Sequence, residues 1–167
     1  MQTFGIVGHS GNGKTTLLVK VVPVLVEMGL SVSTMKHAHH GFDIDTPGKD
    51  SHRHRMAGAT EVMMASSQRW ALQHELRSVP EPTIEDLALH MTPVDLLLIE
   101  GFKTHPHPKI EVFRPSVGAP PLFVDDSTIV AVASDAELAD AQVPVLDIDD
   151  APAVAEFIVG HCRLKAA

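Results

Sequence analysis

A mainly parallel β-sheet flanked by helices is the fold class this sequence predicts, on three observations. Apolar runs of strand length alternate with helix-length segments along the 167 residues, as in successive βα units. The stretch GHSGNGKTT, Gly8 to Thr16, lies between a strand-like run and an amphipathic segment and matches G-x-x-x-x-G-K-[ST]. Val94 to Ile99 is dominated by apolar residues, the composition of a central strand covered on both faces.

Taken in order, Thr3 to Val7 reads as the first strand. Leu17, Val21, Leu25 and Met28 then recur at helical spacing from Lys14 onward, and Gly29 supplies a C-terminal stop. Pro23 inside that helix removes one backbone donor and should kink the axis. Strands are expected over Leu30 to Met35 and Glu61 to Ala65, with Arg69 to Leu76 as a weakly alternating hairpin arm. Pro82-Thr83 opens a short helix ending near His90. After the strand ending at Ile99, further strands fall at Ile110 to Phe113, Ile129 to Ala133 and Val143 to Ile148, and residues 151 to 160 form the last helix. Without a repeat or linker, one domain over residues 1 to 167 is expected.

Composition narrows the function classes. Hydrophobic residues make up 44% of the chain and charged ones 20%, which excludes wholesale disorder. A net charge of -8 without a basic patch repels long polyanions, and no tyrosine with a single tryptophan leaves no stacking platform, so nucleic acid is not an expected partner. No apolar run has the length of a membrane span, and the run Thr3 to Val7 lacks the basic flank of a signal peptide. Cys162 stands alone, in keeping with a reducing compartment, and the cytoplasm is the expected location.

Two segments concentrate the chemistry. In Gly8 to Thr16 the glycines let successive amides turn inward as an anion nest at the positive end of a helix. Lys14 is expected to reach the β- and γ-phosphates of a nucleotide, and the Thr15 hydroxyl to coordinate Mg2+. The metal needs an acid from a second strand. Ligands gather beyond the carboxyl ends of parallel strands, which assigns Glu100 to the magnesium shell and Asp95 to the far end, with Gly101 leaving room for the γ-phosphate. The plain alternative is a surface glutamate that happens to end a strand.

The second segment is KHAHHGFDIDTPGKDSHRHRMAGA, Lys36 to Ala59. Pro47-Gly48 reads as a turn and Asp50 or Ser51 as the N-cap of a helix carrying Arg53 and Arg55. Asp43, Asp45 and Asp50 are candidates to orient water or magnesium, and Lys36, His37, His39, His40, Arg53, Arg55 and Lys103 to face a second ligand or partner. His37, His39 and His40, with His52 and His54 downstream, also offer imidazoles for zinc, nickel or copper. No cysteine lies nearby and no four-ligand spacing appears, so a phosphate-side hydrogen-bonding loop is the preferred reading, with a solvated polar loop as its alternative.

In these residues the chain resembles the MobB family, the molybdopterin-guanine dinucleotide biosynthesis adapter proteins. The matching elements are GHSGNGKTTLLVKVVPVL, MKHAHHGFDIDTPGKDSHRHRMAGA, DLLLIEGFK and PKIEVFR. The resemblance implies a P-loop NTPase-like fold and a GTP-binding protein with feeble GTPase activity, working beside the MobA-type guanylyltransferase that attaches GMP to molybdopterin. It implies nucleotide contacts at Gly11, Asn12, Gly13, Lys14, Thr15 and Thr16, with Asp45, Asp50 and Glu100 around Mg2+. It further implies a homodimer sharing extra strands, for which Arg69 to Leu76 and Lys109 to Arg114 are the candidates. The sequence carries no N-K-x-D box to read guanine. Asp135, following the strand Ile129 to Ala133, is the candidate substitute, since a carboxylate can accept from guanine N1 and N2 together. Two function classes compete: a nucleotide-gated adapter that contacts the enzyme or its molybdopterin, and a small-molecule kinase or metal-delivery GTPase.

Overall fold

The computed structural model describes residues 1–38 and 41–165; the candidate histidines His39 and His40 lie outside the described residues. Among the described residues, eight strands and four α-helices follow in the order β1 (Gln2–Val7), α1 (Lys14–Glu27), β2 (Val32–Lys36), α2 (Asp50–Met56), β3 (Glu61–Ala65), β4 (Trp70–His74), α3 (Ile84–Ala88), β5 (Leu96–Glu100), β6 (Lys109–Phe113), β7 (Ile129–Ser134), β8 (Val145–Asp147) and α4 (Ala151–His161). Two compact units result: residues 1–37 with 93–167, and residues 38–92.

The first unit is a six-stranded sheet in the order β2-β5-β1-β6-β7-β8, parallel throughout. Side chains alternate between its faces. Phe4, Ile6, Leu96, Leu98, Ile110, Val112, Ala131 and Ala133 share one buried cluster with Leu17, Val21 and Leu25 of α1 and Val154, Ala155 and Ile158 of α4. The expected stop at Gly29 is a Schellman motif: Gly29 has φ 83, its amide donates to Val26, and the Leu30 amide donates to Leu25. Leu30 is thereby spent on the helix end and buried, which is why β2 starts at Val32 rather than at Leu30.

β6 overturns one expectation. Lys109 to Arg114 was a candidate for an extra strand shared between subunits, yet Lys109–Phe113 pairs in parallel with β1 on one side and β7 on the other and is buried along its whole length. Its charged residues are held inside. Lys109 donates from Nζ to the backbone oxygens of Lys103 (2.8 Å) and His105 (2.7 Å) and to Asp126 Oδ2 (3.2 Å). Glu111 accepts from the amides of Leu122 and Phe123, and burial raises its carboxyl above the ordinary range against those two bonds.

In the second unit β3 and β4 form an antiparallel two-stranded sheet, so the expected hairpin arm is present over Trp70–His74. Thr83 and Asp86 close a capping box at the start of α3. The N-cap of α2 is Lys49, in extended conformation, rather than Asp50 or Ser51; Asp50 sits one residue inside, where its charge faces the positive helix end. Arg55 gathers three of this unit's acids. Its guanidinium grips Asp45 through two bonds of 3.0 and 2.9 Å and reaches Asp43 at 2.7 Å and Glu75 at 3.4 Å.

Candidate functional site

The carboxyl edge of the sheet presents, in spatial order, Lys36, Glu100, the loop after Val7, Arg114 and Asp135, because parallel strands deliver their ends to one side. The glycines of the loop are dictated by space and torsion. Gly8 has φ 139, and a Cβ there would lie 2.3 Å from the Val112 carbonyl oxygen, so β1 and β6 can approach only without a side chain. Gly13, with φ 95, is the left-handed N-cap of α1 and supplies no side-chain acceptor, so the first-turn amides of α1 keep the positive end open to an anion.

Around this turn the side chains converge. The Lys14 ammonium folds back onto the His9 carbonyl at 2.9 Å. Thr15 Oγ1 donates to Glu100 Oε1 at 2.8 Å, and Lys36 Nζ lies 3.0 Å from the same oxygen. Burial lowers the Lys14 ammonium below the ordinary lysine value; Glu100 opposes that shift, while Lys103 and Lys36 add to it as like charges. The Lys14 ammonium thus feels two like charges against one carboxylate in a chain of net charge -8, a local positive excess that suits a polyphosphate. Asp95 is at the opposite end of the strand, where hydrogen bonds from the Ser31 hydroxyl and amide hold its carboxyl below the ordinary range. Its distance from the loop follows from strand direction alone.

Thr15 and Glu100 offer hard oxygens side by side, which suits magnesium. Asn12 is fully buried in the loop with neither side-chain atom hydrogen-bonded, and His9 Nε2 is likewise buried without a partner, polar capacity that a bound anion or its waters would use. A Cβ on Gly11 would meet open space, so that position owes its glycine to φ 86 rather than to crowding.

On the other side of the loop stands a group that sequence reasoning missed. Arg114, directly after β6, donates from Nε to the Asn12 carbonyl at 3.2 Å and from Nη1 to Asp135. Asp135 lines an open cavity of about 460 Å³ with Ser134, Leu138 and Asp147. The arginine was legible only as the last letter of PKIEVFR; its partners are far away in sequence.

The remaining candidates are placed as follows. His37 stacks on Phe102 at 4.4 Å between ring centroids, and its amide donates to the Glu100 carbonyl. Lys103 contributes its backbone oxygen to Lys109. Asp45 and Arg55 are joined to each other within the second unit, and Asp50 is exposed 3.9 Å from Arg53. Among the described residues no group of three His, Cys, Asp or Glu is arranged to hold a metal ion.

A glycine-rich loop between the first strand and its helix, with lysine and threonine at the helix start and an acid on the neighbouring parallel strand, defines a P-loop NTPase-like α/β protein. Within that class the chain belongs to the MobB family, whose model, molybdopterin guanine dinucleotide synthesis protein B, matches residues 3–135. It is 44% identical over 153 residues to the molybdopterin-guanine dinucleotide biosynthesis adapter protein of Escherichia coli (strain K12), covering 90% of this chain and 87% of that one. The adapter protein of Haemophilus influenzae is 41% identical over 157 residues, covering 92% and 85%. Among solved structures, the crystal structure of Bacillus subtilis MobB matches with a TM-score of 0.75 at 25% identity, covering 96% of this chain and 97% of that chain. A crystal structure of molybdopterin-guanine biosynthesis protein B gives 0.74, also at 25%, covering 95% and 99%.

Proposed function

We propose that this chain is a GTP-binding adapter in molybdopterin guanine dinucleotide biosynthesis, with at most weak GTPase activity, acting in the cytoplasm beside a MobA-type guanylyltransferase. Relatives that it matches over most of its length are named as adapters of that synthesis. The observation that carries the nucleotide reading is the convergence of Lys14, Thr15 and Glu100 at the open end of α1. Lys14 would hold the β- and γ-phosphates, Thr15 and Glu100 would hold magnesium, and the metal would screen phosphate charge. The loop amides orient the phosphate tail, and Asn12 and His9 complete its hydrogen bonds.

Asp135 is the proposed guanine reader, steadied by Arg114. Asp135→Asn is expected to cut the preference for GTP over ATP by about tenfold, while the affinity for ATP stays within about twofold. A calorimetric titration giving an unchanged preference would remove Asp135 from the role.

A second copy of the chain is the proposed partner of the β3–β4 sheet. Met63 and Trp70 lie on one face of it and are 62% and 63% exposed, and a two-stranded sheet alone is marginal in water. The adapter function is tested by capture on the immobilised chain with and without GTP and Mg2+. Nucleotide-dependent recovery of the guanylyltransferase, with or without molybdopterin, is the expected result. Fast, acceptor-dependent consumption of GTP would instead make the protein a kinase.

A further inference from the structure

The Lys36 ammonium does more than pair with an acid. An exposed lysine–carboxylate contact is ordinarily of little consequence. Here the lysine side chain is 59% exposed, but the carboxylate is only 10% exposed, and the ammonium also donates to Thr15 Oγ1 at 3.4 Å. The two oxygens it approaches, Thr15 Oγ1 and Glu100 Oε1, are the pair proposed above as magnesium ligands. The Thr15 hydroxyl proton is already committed to Glu100 at 2.8 Å, so the lysine N–H approaches the hydroxyl's lone pairs, the side a metal ion would need. Magnesium binds oxygen at about 2.0–2.1 Å and demands near-octahedral room, so a cationic nitrogen cannot remain beside both oxygens when the ion arrives.

Resting on the nucleotide-binding reading, we infer that Lys36 is a tethered cation standing in the magnesium position. It neutralises Glu100 and supports the phosphate tail when metal is absent, and it gives way when Mg2+ binds. Its place makes the exchange consequential. Lys36 is the last residue of β2, and the first of the two stretches that make up the first compact unit ends one residue later, at His37. Release of this one side chain therefore registers metal binding where the chain leaves the sheet.

The experiment measures the affinity of the full chain for a fluorescent GTP analogue in excess EDTA and in excess Mg2+, for the wild type, Lys36→Met and Lys36→Arg. Lys36→Met is expected to lose about tenfold or more of the EDTA affinity and to stay within about twofold in Mg2+, because only the metal-free complex relies on the ammonium as a charge-assisted donor. Its gain on adding Mg2+ is then about tenfold larger than that of the wild type, and less Mg2+ is needed for half-saturation. Lys36→Arg, which keeps the charge, is expected to return most of the EDTA affinity. An unchanged gain, or an equal loss under both conditions, overturns the inference while leaving the nucleotide-binding reading in place. A wild type that binds the analogue under neither condition overturns both.

Discussion

Lys14→Ala is expected to weaken GTP binding about 100-fold or more while leaving the fold unchanged. The two halves of that expectation have separate causes. Lys14 is the first residue of α1 and, among the described residues, its ammonium bonds only to the His9 carbonyl within the loop, so no core contact is lost with it. Alanine is a good helix former, and removing a partly desolvated charge relieves two neighbouring ammonium groups; the melting temperature should move by no more than about 2 °C. Binding is different, because phosphate oxygens would be left without their central charge-assisted donor in a partly closed site. Circular dichroism and thermal melting report the first half and calorimetry with GTP and Mg2+ the second. Retained affinity in a folded Lys14→Ala protein would contradict the phosphate site.

The parts of this site that could be read beforehand are those fixed by local spacing or by strand direction. G-x-x-x-x-G-K-[ST] is a contiguous pattern, and the parallel character of β5 alone sends Glu100 to the carboxyl edge and Asp95 to the other. What could not be read depends on which strands are neighbours. The alternation of Lys109, Ile110, Glu111 and Val112 looks like a half-exposed edge strand, because charged residues are seldom wholly buried. Only the insertion of β6 between β1 and β7 makes both of its faces interior and forces Lys109 and Glu111 to find backbone partners. Arg114 was hidden for a similar reason, since its bond to the Asn12 carbonyl spans 102 positions and follows from the β1–β6 register. In the second unit Asp45 reads as a candidate to orient water or magnesium; the bonds from Arg55, ten positions on, to both of its oxygens depend on the fold of the loop between them.

The buried lysine also supports the other large expected effect. Lys109→Met keeps the aliphatic volume of a side chain that is 1% exposed but removes the donor to two carbonyls and Asp126. Breaking one side of such a buried arrangement costs about 3–5 kcal/mol, or roughly 6–20 °C of melting temperature for a domain of this size. Partial burial tends to raise the Asp126 carboxyl, but hydrogen bonds from Thr128 and Lys109 outweigh it, and the group titrates below the ordinary range. A folded-state value that is depressed stabilises the native protein above the ordinary carboxylate range, and that contribution fades as pH falls through the folded value. The gap between wild type and Lys109→Met should therefore be fully open at pH 7 and narrow below about pH 4. Adding Asp126→Asn to Lys109→Met should return part of the loss, because it removes the charge left unpaired. The segment Lys103 to His105 begins one residue after Glu100-Gly101, so GTP affinity should fall in Lys109→Met as well, through a loop that has lost its anchor. A melting temperature within about 2 °C of wild type would mean that the three acceptors find other donors and that β6 does not depend on its buried charge.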